Sequence, residues 1–177
     1  QKVSIETETL RTNNFRLAID PEAELPIWLA AINDRMLRLA GAIADGVFLT
    51  WCPPTEVQQK VDLVRAGAIE AGRDPSDIEV VLSFWGFEGN DDDVSIVRER
   101  CRRSVLAYAM VPTHQSAFLH AFPTLTEAAA AWDLGDRKKA LDLTGDDVLE
   151  AMCPIGPPGV VSDRVHQYVA AGVDLPV

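Results

Sequence analysis

Cysteine, cationic charge and long apolar runs are all scarce in this chain of 177 residues. Cys52, Cys101 and Cys153 are odd in number and lack C-x-x-C spacing, which argues against a disulfide framework and a zinc site. A reducing, cytoplasmic setting is the expectation. Lys and Arg number 16 against 27 Asp and Glu, and the resulting charge of −11 repels nucleic acid and anionic membrane surfaces. No stretch approaches the ~20 apolar residues of a membrane-spanning helix. Residues 1–24 carry no targeting pattern of a charged region followed by an apolar one. Several catalytic signatures are also missing: the G-x-S-x-G elbow, the G-x-x-x-x-G-K-[ST] loop, G-x-G-x-x-G after a strand, and H-E-x-x-H. Hydrolase, P-loop and Rossmann readings therefore lose support.

What is present can build a core. Hydrophobic residues make up 47% and mean hydropathy is +0.03, while Gly and Pro, 11 each, stay below a low-complexity level. The length fits a single domain over 1–177. Gln1 at the start and a strand-like run that stops at Val177 suggest a longer parent chain.

Apolar runs alternate with helical periodicity. Ile27 to Ile32 reads as a strand buried on both faces, followed by a helix capped by Asn33 or Asp34 that ends at Asp45-Gly46. Val47 to Trp51 is a second strand. After Pro53-Pro54, Thr55 and Gln58 have capping-box spacing, and Val57, Val61, Val64 and Ala68 form one stripe. Ile78 to Trp85 is a third strand, and Asp91-Asp92-Asp93 suits a helix N-terminus. From 112 to 155 the signals are helical, an expected insertion before the last strand, with segments Thr113 to Ala121, Thr126 to Leu134, Asp136 to Leu143 and Gly145 to Met152. Ile155 to Gly159 reads as a turn, Val161, Val165 and Val169 as a helix, and Val173 as the start of a fourth strand. Four strand–helix units fit a small open sheet or half of an eight-stranded barrel.

Functional candidates cluster at the carboxyl ends of these strands. Ala31, Ile32, Asn33, Asp34 and Arg35 join a strand to a helix N-terminus, whose free N–H groups suit a phosphate; Asp34 opposes an anion and Arg35 offsets it. Arg38 is either a second cation there or a solvated helix residue. Trp51, Trp85 and Phe87 either line a pocket or cover the core edge. His114 is the one histidine singled out for testing, and Arg98, Arg100, Arg102 and Arg103 read as a solvated face.

The stretch Leu25-Pro-Ile-Trp-Leu-Ala-Ala-Ile-Asn-Asp-Arg-Met-Leu-Arg-Leu-Ala-Gly-Ala-Ile-Ala-Asp-Gly46 resembles the luciferase-like monooxygenase superfamily, in particular its deazaflavin-dependent oxidoreductases. Glu70-Ala-Gly-Arg-Asp-Pro75, Tyr108-Ala-Met-Val-Pro112, Ile155-Gly-Pro-Pro158 and Tyr168-Val-Ala-Ala-Gly-Val-Asp174 look like later landmarks of that family in the same order. The resemblance spans roughly residues 13 to 177. It implies an α/β fold, a (β/α)8 TIM barrel of the bacterial-luciferase type, of which this chain holds about the second half. It also implies hydride transfer between coenzyme F-420, a deazaflavin, and a small organic substrate, with the cofactor phosphate at Ala31 to Arg35. Many relatives carry Gly-Pro where Asn33-Asp34 stands. FMN-binding relatives often place Glu-Ser and a Thr at this loop, and the lack of those hydroxyls in Ala31-Ile32-Asn33 favours the deazaflavin. Trp51, Trp85 and His114 are the expected pocket wall, and catalytic residues are expected on strands outside this chain. An FMN-dependent monooxygenase and a non-catalytic half-barrel are the alternatives. A homodimer is expected of the complete protein.

Overall fold

The computed structural model describes residues 2–16, 18 and 24–177; Gln1, on which part of the reading of the opening stretch rests, lies outside them. A hairpin comes first: β1 (Val3–Glu6) pairs antiparallel with β2 (Arg11–Phe15). Its turn is closed by the Thr7 N–H donating to the Leu10 carbonyl at 2.8 Å. Nothing in the sequence reading anticipated it. Val3, Ile5, Leu10 and Phe15 all remain exposed.

Then strands and helices alternate: β3 (Trp28–Ala30), α1 (Asp34–Ile43), β4 (Gly46–Thr50), α2 (Pro54–Glu70) and β5 (Glu79–Ser83). The strands are parallel, with Leu29 opposite Val47 and Val47 opposite Val80. Because side chains alternate along a strand, Val47, Leu49, Val80 and Leu82 share one face and pack on Leu37, Ala40, Val57, Val61 and Val64 of the helices. Helices α1 and α2 touch backbone to backbone. A Cβ on Gly41 would lie 1.9 Å from the Val64 carbonyl oxygen, and one on Gly67 would lie 2.0 Å from that of Arg38, so only glycine fits at either place. Arg73 donates to the carbonyls of Gly41 and Ala44 at 2.8 and 2.7 Å, which satisfies the end of α1.

Three local expectations fail here. β3 is the edge of the sheet, not a strand buried on both faces: Trp28 is 37% exposed and Ala30 is exposed as well. Asn33 occupies the N-cap position of α1 without a side-chain cap bond, because its amide donates to the Thr113 carbonyl at 3.2 Å. The Thr55–Gln58 capping box does not form either, since α2 starts one residue earlier on Pro54, which needs no N–H partner there.

The remainder is mostly helical: β6 (Phe87–Glu88), α3 (Asp91–Ala109), α4 (Gln115–Ala121), α5 (Thr126–Asp133), α6 (Arg137–Asp142) and α7 (Asp146–Met152). β7 (Ile155–Gly156), α8 (Val160–Ala170) and β8 (Leu175–Pro176) complete the chain. Asn90 caps α3 by accepting from the Asp93 N–H at 3.0 Å. Val105, Leu106, Leu125, Val148 and Leu149 centre a second core, into which Phe87 and Trp51 pack. The arginines of α3 are not simply solvated. Arg98 and Arg102 are only 23% and 20% exposed and pair with Asp146 of α7. Ile155 and Gly156, read as part of a turn, instead pair in parallel with Phe87 and Glu88. The main sheet has the order β3-β4-β5-β8, with Leu175 opposite Val81.

Candidate functional site

Residues 31–33 leave the carboxyl end of β3 and enter α1, and three different elements pin them. The Ala31 N–H donates to the Phe48 carbonyl at 3.2 Å. Lys60 of α2 donates from Nζ to the Ile32 carbonyl at 3.2 Å, and the Asn33 amide reaches Thr113. Since no side chain caps α1, its first-turn N–H groups stay available to a ligand.

Outside this connection lies an open groove of about 1030 Å3 lined by Asp34, Arg35, Glu56, Lys60, Ser116 and His120, among others. Lys60 is also 3.7 Å from Glu56, so part of its charge is balanced. Arg35 makes no ion pair among the described residues. Arg38 does not serve the groove, because it is paired with Glu70. The N-terminus of α8 offers a second set of N–H groups near the same end of the sheet. Glu88 already fills it, accepting from Gly159 and Val161 at 2.9 and 3.0 Å. The start of α1 is thus the open one of the two.

Inside the connection is a hollow of about 520 Å3, bordered by Phe48 and Thr50 of β4 and by Tyr108, Thr113 and His114. Tyr108 belongs to α3, and its ring lies 4.4 Å from that of His114 and 5.0 Å from that of Trp51. Burial pushes the Tyr108 phenol up from its ordinary value, while the nearby Thr50 side chain pulls the other way. His114 is half-buried, with Nδ1 3.2 Å from the Tyr108 carbonyl. Trp51 takes φ 44°, a left-handed conformation that bulky residues seldom adopt. Its backbone N–H donates to the Ser83 carbonyl at 3.1 Å, and its ring packs edge-on against Tyr108 of α3.

Ala31 to Arg35 and His114 therefore sit on one continuous surface, with Ile32 shared by the groove, the hollow and a narrower cleft lined by Trp51, Cys52 and Lys60. Trp51 is buried, 7% exposed. Trp85 rests edge-on against it at 4.9 Å but borders neither groove nor hollow. Burial pushes the Cys52 thiol up to about 12, so it stays protonated at neutral pH. Lys60, Tyr108 and His120 were not recognised from the sequence as site residues. Lys60 carries no local signal, whereas Tyr108 stood out only as the first residue of the landmark Tyr108-Ala-Met-Val-Pro112. Among the described residues no group of three or more His, Cys, Asp or Glu side chains could hold a metal ion. No described helix is long and apolar enough to cross a membrane.

A family model described as luciferase-like monooxygenase matches residues 1–175. The chain belongs to that family. The 5,10-methylenetetrahydromethanopterin reductase of Methanopyrus kandleri is 29% identical to it over 154 residues, 85% of this chain and 43% of that protein. A phthiodiolone/phenolphthiodiolone dimycocerosates ketoreductase of Mycobacterium sp. (strain JLS) is 41% identical over 68 residues, 38% of this chain and 18% of that one. The solved coenzyme F-420 dependent tetrahydromethanopterin reductase from Methanopyrus kandleri superposes with TM-score 0.73 at 26% identity, covering 99% of this chain and 51% of that one. This luciferase-like chain thus has the family's α/β TIM-barrel fold and spans about half, or less, of the length of these relatives. Its four parallel strands sit in the sheet order given above.

Proposed function

We propose that this chain contributes the phosphate-binding and pocket-forming part of a deazaflavin-dependent oxidoreductase, which transfers hydride between coenzyme F-420 and a small organic substrate. The observation that carries the reading is the uncapped start of α1, opening on a groove with Arg35 and Lys60, while Glu88 closes the start of α8. Two relatives bear names that fit: a reductase named as coenzyme F-420 dependent, and a ketoreductase.

The residues present suit an anionic phosphodiester. Backbone N–H groups of α1 would donate to the phosphate oxygens, Arg35 would add a charge-assisted bond, and Lys60 would hold the Ile32 carbonyl in place beside it. The deazaflavin, when bound, supplies the hydride-accepting and hydride-donating carbon. Asn33, tied to Thr113, keeps the groove and the hollow in fixed register, so that a molecule anchored on one side presents its other end to the second. Trp51 and Phe48 wall the site and exclude water from it.

Titrating the chain with coenzyme F-420 and separately with FMN, while following tryptophan fluorescence, tests the reading. The expected result is tighter binding of F-420, weakened by Arg35→Ala. Preference for FMN would move the protein to the oxygen-using branch. Binding of neither would overturn the cofactor reading in favour of a non-catalytic half-barrel.

A further inference from the structure

We propose that the inner hollow receives the uncharged hydroxyl or carbonyl group of the substrate, with His114 Nε2 as the atom that takes and returns its proton. The proposal rests on the cofactor reading only for the hydride acceptor.

First, among the described residues Tyr108 and His114 are the only titratable side chains that line the hollow, and no Asp, Glu, Lys or Arg does. A substrate carboxylate or phosphate would meet no cation there, whereas a neutral oxygen meets the hydroxyls of Thr50, Thr113 and Tyr108. Second, a carbonyl oxygen can only accept, so the 3.2 Å contact of Nδ1 with the Tyr108 carbonyl is a hydrogen bond when Nδ1 carries a proton. In that tautomer the lone pair of the imidazole is on Nε2, an acceptor rather than a donor. Third, the His114 ring is held in place: it packs on Tyr108, which packs on Trp51. The His114 N–H is also fixed to the Val111 carbonyl at 2.8 Å.

In the oxidising direction the alcohol O–H bond breaks and its proton passes to Nε2. The carbinol C–H bond breaks at the same time, its electron pair leaving as hydride to the deazaflavin, and a ketone remains. In the reducing direction the imidazolium returns the proton to the carbonyl oxygen as the carbon gains hydride. His114 is then a catalytic residue, and Tyr108 positions it.

Nitrogen NMR of the chain labelled with 15N-histidine, without any deazaflavin, tests this separately from cofactor binding. His114 is expected as the Nδ1-protonated form, although free neutral imidazole side chains favour the other one. Cyclohexanol should shift the Nε2 resonance, and His114→Phe should abolish that binding. Cyclohexanecarboxylate should bind at least tenfold more weakly than cyclohexanol or cyclohexanone. An Nε2-protonated ring in the unmodified chain, or equal affinity for the carboxylate, would overturn the proposal. Failure of F-420 to bind, with these results intact, would overturn the cofactor reading alone.

Discussion

On the outer side of the Ala31–Arg35 connection, Asp34, Arg35, Glu56 and Lys60 present charge to an open groove. On the inner side, a hollow about half that size offers hydroxyls, one phenol and one imidazole. The two are separated by little more than one strand of backbone, yet they suit opposite ends of a ligand. Helix geometry explains the outer side, because a helix start concentrates unpaired N–H groups and draws anions. Strand geometry explains the inner one: alternation sends Phe48 and Thr50 away from the helices that bury Val47 and Leu49.

The strongest test of a common foundation is alkaline unfolding. Burial pushes the thiols of Cys52, beneath the connection, and Cys153, in the helical core, from 9.0 up to about 12. The native chain keeps these protons where the unfolded chain releases them, so stability holds below about pH 9 and falls above it, by ~1.4 kcal/mol per pH unit for each group. Denaturant melts between pH 8 and 11 should show this slope, and Cys52→Ser and Cys153→Ser should each remove a share. A slope unchanged in both variants would assign it elsewhere.

Gly67→Ala should cost about 3 kcal/mol, because the added methyl meets the Arg38 carbonyl and forces α1 away from α2. Since both sides of the connection ride on α1, both should lose order together in amide exchange; loss on one side alone would break the comparison. Arg35→Ala should weaken F-420 binding by about 2 kcal/mol while leaving cyclohexanol binding in the hollow unchanged. Lys60→Met is expected to weaken F-420 by about 1 kcal/mol through loss of its bond to the Ile32 carbonyl. If it equals Arg35→Ala, Lys60 touches the phosphate directly. Tyr108→Phe should have the smallest effect, a slight loss for cyclohexanol, measured by the same titration.

The parts legible in the sequence are those governed by neighbours along the chain. Val47 to Thr50, the stripe Val57, Val61 and Val64, and the acidic start of α3 all declare their structure within a few residues. The short helices between 115 and 152 also fall close to their punctuation by Pro123 and Gly135. By contrast, the pairing of Phe87 with Ile155 joins two-residue strands separated by a 19-residue helix and more. No local pattern marks such a pair. Asn33 looked like a cap because that is what its position usually means, but a carbonyl 80 residues away took its amide.

Composition and periodicity by themselves determined an α/β chain of parallel strands, its approximate strand starts, and the strand-to-helix connection at Ala31 to Arg35. Those features follow from local dihedral preference and from the need to bury one face of each element. Only the tertiary structure decided which helix start stays open. Glu88 closes α8, Asn33 is drawn off α1, and Lys60 and Tyr108 arrive from distant elements on opposite sides of the connection. Such outcomes depend on which polar groups meet after the chain has packed, and a hydrogen bond forms with whatever partner then lies within reach.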